Sequence, residues 1–228
     1  MPSPLSITEP AAPPKPRFRG RLHQAAFFVA IPAGILLVAV ARTTTARIAA
    51  IVYALSLAGL YGTSAAYHRL PWSPRSLRRM KRLDHSMIFV LIAGTYTPFA
   101  LLVLGRPWSI VLLSVVWAGA AAGVILKLVK IDGFSAVGGA LYIVLGWMAI
   151  FTAPQIIRGV SGATAGLLLA GGILYTTGAI VLACNKPNPS PRVFGYHEVW
   201  HSFVVGASAC HYAVILLVVL AARPAIGG

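Results

Sequence analysis

Two imidazoles stand four residues apart in His197-Glu198-Val199-Trp200-His201, at the head of the last apolar run of this 228-residue chain. On a helix, positions four apart share a face, so both rings can reach one metal ion. They can equally form a structural helix pair, so the weight falls on whether a third nitrogen joins them. A catalytic zinc usually takes three protein ligands and leaves one position for water. His68, closing an apolar run as Ser64-Ala65-Ala66-Tyr67-His68, would complete that set. The ion would lower the pKa of its water and polarise a carbonyl. Asp84 would orient or deprotonate the water, and Ser64, one helical turn before His68, would hydrogen-bond the water or a developing oxyanion. Each has a plainer reading: Asp84 as a helix N-cap or a partner of Arg79 or Arg82, and Ser64 as a hydroxyl bonded to its own helix.

The elements that must position these residues are membrane spans. The chain is 58% hydrophobic and 10% charged, where a soluble domain carries about a quarter charged residues. Each span needs roughly 20 apolar residues. Hydropathy predicts an all-α, multi-pass protein of the cell membrane, with seven helices near 24–41, 46–67, 84–104, 109–129, 137–157, 165–184 and 199–222. A proline-rich cytosolic tail over 1–20, a seven-helix domain over 21–222 and a short external tail over 223–228 make up the expected organisation. Pro32, Pro98 and Pro154 predict kinks or broken turns. Gly119 and Gly123, Gly162 and Gly166, and the pairs Gly138-Gly139 and Gly171-Gly172 predict close helix contacts.

A net charge of +15 on a soluble surface would suggest nucleic acid. Here the charge sits in short clusters between apolar runs, which argues against nucleic acid and for orientation and contact with anionic headgroups. Fourteen lysines and arginines fall on one side of the seven spans and five on the other, placing the N-terminus inside and the C-terminus outside. That topology brings His68, Asp84 and the His197–His201 pair to one depth, near the cytoplasmic face. Of four acidic residues, Glu9 is in the tail, Asp132 is in a loop, and Asp84 and Glu198 flank the cluster. An ionisable group beside an apolar span is costly unless paired, metal-bound or wetted, so function is the leading explanation.

Among the remaining histidines, His211 lies ten residues past His201, about 15 Å along a helix, and suits a helix-helix hydrogen bond. His23 reads as a basic first turn or an interfacial histidine, and His85 as an alternate ligand or outer donor. Cys184 and Cys210 form neither a metal pattern nor a disulfide framework. Nothing in the sequence sets an oligomeric state.

Ser64 to His68, Leu83-Asp84-His85-Ser86 and His197 to His201, in this order and in seven spans, resemble the haemolysin III family, part of the wider progestin and adipoQ receptor superfamily. The resemblance covers roughly Arg21 to Ala222. It implies a zinc site facing the cytoplasm, with His68, His197 and His201 as ligands, Asp84 against the water on the metal, and Ser64 beside it. The superfamily is similar to alkaline ceramidases, which implies hydrolysis of an amide in a lipid. The first span departs from the family, which often has an acidic residue and an asparagine ahead of a Ser/Thr-His pair. This chain has Phe18-Arg19-Gly20-Arg21-Leu22-His23 there, and only His23 carries over.

The leading expectation is a zinc-dependent hydrolase of a lipid amide or ester near the inner leaflet. A non-enzymatic, zinc-stabilised sensor or regulator of membrane state is the alternative from another class. A pore-forming lytic protein follows from the family name alone. His197-Glu-Val-Trp-His201 also matches the H-E-x-x-H of intramembrane metalloproteases. No acid follows it in the chain, and Glu198 is turned about 100° from His197, so a solvent-facing carboxylate or a partner for arginines is the expected role.

Overall fold

The computed structural model describes residues 15–129 and 135–223; most of the expected tail, with Glu9, and the loop position of Asp132 lie outside them. The described chain is all-α. Helices run over Arg21–Val40 (α1), Thr44–Arg69 (α2), Pro74–Leu102 (α3), Arg106–Val129 (α4), Ser135–Gly146 (α5), Ala153–Gly159 (α6), Gly162–Cys184 (α7) and Tyr196–Ala221 (α8). A 3-10 turn over Met148–Thr152 joins α5 to α6. These make seven apolar helices long enough to cross a membrane, the fifth being Val137–Gly159. Helices close every backbone hydrogen bond internally, which an apolar bilayer demands.

Consecutive helices pack side by side, α7 lies along α8, and α1 against α8 closes the ring while α3 also touches α8. The spans of α2, α3 and α8 are 50%, 56% and 44% buried, against 17–22% for the other four. The three helices that carry His68, Asp84 and the His197–His201 pair are therefore the inner ones. The outer helices turn Phe28, Ile35, Ile110, Ile150 and Phe151 outward, as a lipid-facing surface requires.

Helix ends follow their capping residues. The Thr43 hydroxyl accepts from the Ala46 N–H at 3.0 Å, and Ser161 accepts from Thr164 at 3.2 Å. Ser73 caps α3, with Pro74 in its first turn. The third helix therefore begins ten residues before Asp84, where the sequence reading placed its start. Arg75, Arg78, Arg79, Lys81 and Arg82 are helical rather than loop, because lysine and arginine are good helix formers and hydropathy registers only the apolar part. Asp84 is consequently not an N-cap.

The fifth span breaks just before Pro154. The Tyr96 hydroxyl on α3 mends the break, donating to the Gly146 carbonyl at 2.6 Å and accepting from the Ala149 N–H at 2.9 Å. Pro32 and Pro98 lie inside unbroken helices. Gly119, Gly123 and Gly171 face Leu145, Phe89 and His211 so closely that a Cβ would collide, whereas Gly139, Gly162 and Gly166 face open space. The close-contact expectation thus fails at those three positions.

Candidate metal centre

His68 sits in the last turn of α2, and His197 and His201 occupy the first two turns of α8. The α2–α3 side is held by Trp72, whose indole N–H donates to the Ala66 carbonyl at 2.9 Å. One ligand nitrogen from each of the three histidines lies within 4.8 Å of the other two. His68 Nε2 and His197 Nε2 are 3.2 Å apart, close to the ~3.4 Å that two nitrogens bound at ~2.0–2.1 Å to one tetrahedral ion would keep. His201 is 2% exposed, and the His68 side chain 6%. Three converging imidazoles shielded from water form a donor set that fits a borderline metal ion such as zinc.

Asp84 stands at the edge of this cluster. Its Oδ2 is 4.0 Å from His68 Nε2 and 3.8 Å from His85 Nδ1, beside the cluster but not part of the group whose ligand atoms lie within 4.8 Å of one another, a place suited to a group acting through a water. Ser64, buried at 2% exposure, faces both the Asp84 carboxylate and His23, whose Nδ1 is 2.8 Å from the hydroxyl. His23 Nε2, on the far side of that ring, is buried without a partner. His85 is outside the ligand set, with Nδ1 2.8 Å from the Lys81 carbonyl. His211, far along α8, has Nε2 3.2 Å from the Leu168 carbonyl, the helix-helix bond expected of it.

His23 is the member the sequence reading missed. Its ring lies flat on that of His201, with centroids 3.6 Å apart and planes 9° apart, and it is 4% exposed. Its place in the first turn of the first span, level with the other ligand ends, was the available signal. The contact itself depends on α1 closing against α8.

Glu198 departs from half of its expectation. It pairs with an arginine, since Arg19 Nε donates to Oε1 at 2.5 Å, but it is fully buried rather than solvent-facing. Its Oε2 accepts from the Gly195 N–H at 2.8 Å, capping α8. The residues before α1 provide the cover. Arg17 N–H donates to the Arg192 carbonyl at 3.0 Å and Phe18 N–H to that of Val193 at 3.1 Å. Gly20 follows at φ 77°, pressed so closely on the His68 side chain that a Cβ would collide. A side chain there would meet both the strain of positive φ and that neighbour.

The chain matches the model of a family described as Haemolysin-III related over residues 12–212. It is 37% identical over 201 residues to the Hemolysin-3 of Bacillus cereus, covering 87% of this chain and 89% of that protein. Identity to the Hemolysin-3 homolog of Bacillus subtilis is 34% over 165 residues, covering 72% and 74%. The human Monocyte to macrophage differentiation factor is 26% identical over 175 residues, covering 74% and 69%. On the extent of these matches, and with seven apolar helices beneath them, this polytopic membrane protein belongs to the haemolysin III family.

Proposed function

We propose that the protein is a zinc-dependent hydrolase of a lipid amide or ester, working at the cytoplasmic side of the membrane. The observation that carries this reading is Asp84, a carboxylate 4.0 Å from His68 Nε2 yet outside the three-imidazole set. His68, His197 and His201 would hold the ion, which when bound supplies Lewis acidity and a more acidic water. Asp84 would take the proton of the attacking water and return it to the leaving group. Ser64, whose hydroxyl lies 2.8 Å from His23 Nδ1, would donate its one proton to the developing oxyanion. Arg19 and the Gly195 N–H engage both oxygens of Glu198, which weighs against a protease in which that glutamate is the base.

The cytoplasmic placement rests on the bias of lysine and arginine toward the ends of the spans that bear the cluster. A link to the progestin and adipoQ receptor superfamily belongs to the same proposal, supported by the order of Ser64, His68, Asp84, His197 and His201 along three spans. The anionic headgroups of that leaflet are the expected surroundings. The test combines metal analysis with a screen of lipid amides and esters for released fatty acid. D84N should keep its metal and lose product.

One observation favours a second reading, a zinc-stabilised sensor or regulator without chemistry. The cluster joins the inner ends of α2 and α8 and is covered by residues 16–20, as a structural clasp would be. In that case no form of the protein releases product, and metal removal loosens the α2–α8 contact.

A further inference from the structure

On the side of α3 turned away from Asp84, positive charge collects and no acid among the described residues meets it. Arg82 and Ser86 are four apart and share a face of α3, while Asp84, two positions from each, is turned ~200° from both. That face packs on α4, where Phe89 presses on Gly123. Since α3 and α4 are antiparallel neighbours, Lys127, one turn beyond Gly123, comes level with the turn of α3 that holds Ser86. Lys127 is only 3% exposed. Its Nζ is tucked against Gly138 in the first turn of α5 and lies 5.8 Å from the centre of the Tyr142 ring.

Each part of this corner calls for an anion. The Ser86 hydroxyl, on a residue 3% exposed, and the Arg82 Nε are buried without a hydrogen-bond partner. A helix start carries the positive end of the helix dipole, so the first turn of α5 is an adverse place for a buried ammonium unless a negative group sits between them. Among the described residues the acids are Asp84 and Glu198 alone; Asp84 stands beside His68 and Glu198 pairs with Arg19. Burying polar groups and cations without partners is costly.

We propose that Lys127, Ser86, Arg82 and the start of α5 form a phosphate-binding site, separate from the metal centre and independent of the hydrolase reading. Phosphate is the matching chemistry: it carries charge, offers several acceptor oxygens to ammonium, guanidinium and hydroxyl donors, and suits a helix N-terminus. It can come from a phospholipid headgroup or from the free ion.

Thermal unfolding of the purified full chain in neutral detergent is followed while inorganic phosphate is added, with chloride at equal ionic strength as control. A parallel arm compares dioleoyl phosphatidylglycerol with dioleoylglycerol, which lacks the phosphate. A rise in Tm with phosphate assigns the free ion, and a rise with phosphatidylglycerol alone assigns the headgroup; either supports the site. K127M should weaken the response about tenfold or more, S86A less, while R75M, which removes an exposed charge from the same helix, leaves it unchanged. If K127M fails to fold, R82M takes its place. No response from either ligand, equal weakening in R75M and K127M, or a response seen only in D132N overturns the proposal, the last by showing that the chain supplies its own counter-charge.

Discussion

Arg19 and Glu198 stand 179 positions apart and form an ion pair that closes the same end of the bundle that gathers the three histidines. Glu198 shares a five-residue motif with two of those histidines, yet both its oxygens are engaged elsewhere: one by the guanidinium, the other by the Gly195 N–H. The carboxylate thus anchors the chain entering α1 to the start of α8.

A double-mutant cycle tests that anchor. Removing one partner leaves the other charge without its counter-ion, so E198A should cost about 3 kcal/mol, and R19A somewhat less because its guanidinium reaches solvent. The double variant should cost less than the sum of the two. Denaturant unfolding in detergent measures this; strict additivity would show that the pair contributes nothing. E198Q should also keep its metal, since both oxygens of this side chain are engaged by Arg19 and the Gly195 N–H rather than by the histidines.

His23 lies flat on His201 and holds Ser64, so it should tune the metal without binding it. Loss of such a supporting contact typically weakens metal affinity about 10–100-fold. H23A should fall in that range when zinc is titrated against a competing chelator, while H23F, which keeps a ring on His201, should lose less. Equal, wild-type affinity in both would remove His23 from the centre.

Asp84 separates the two functional readings. Under hydrolysis D84N keeps zinc and loses product formation by about 100-fold or more, the scale of positioned acid-base catalysis. S64A loses less. If wild type and D84N release no fatty acid from any lipid amide or ester, the structural clasp stands instead.

Stability should depend on the metal. Zinc that binds only the folded chain raises its stability by mass action, so a strong chelator should lower Tm and added zinc restore it. In H201A, which lacks the most buried ligand, chelation should leave Tm unchanged.

The seven spans were legible because apolar length is a strong signal, and the observed helices match the expected ones to within a few residues at most ends. The start of α3 was not, since its first ten residues are basic and helical beyond the apolar window. The three-histidine cluster was legible too: type, spacing and depth single out His68, His197 and His201, and the fold gathers them. Depth along a span is written in sequence, but the face a residue turns to its neighbours is not. Hence His23 read as an interfacial histidine until α1 was seen to bring its ring onto His201. The same limit hid Glu198, whose burial depends on a turn just before α1, and the Lys127 corner, which needs α3, α4 and α5 together.

Metal content of the purified protein is the most direct test of the three-histidine centre. Elemental analysis of wild type, H68A, H197A, H201A and the control H85A should find about one zinc per chain in wild type and H85A, and a large loss in each of the other three. Full zinc occupancy in H68A, H197A and H201A alike would contradict the site.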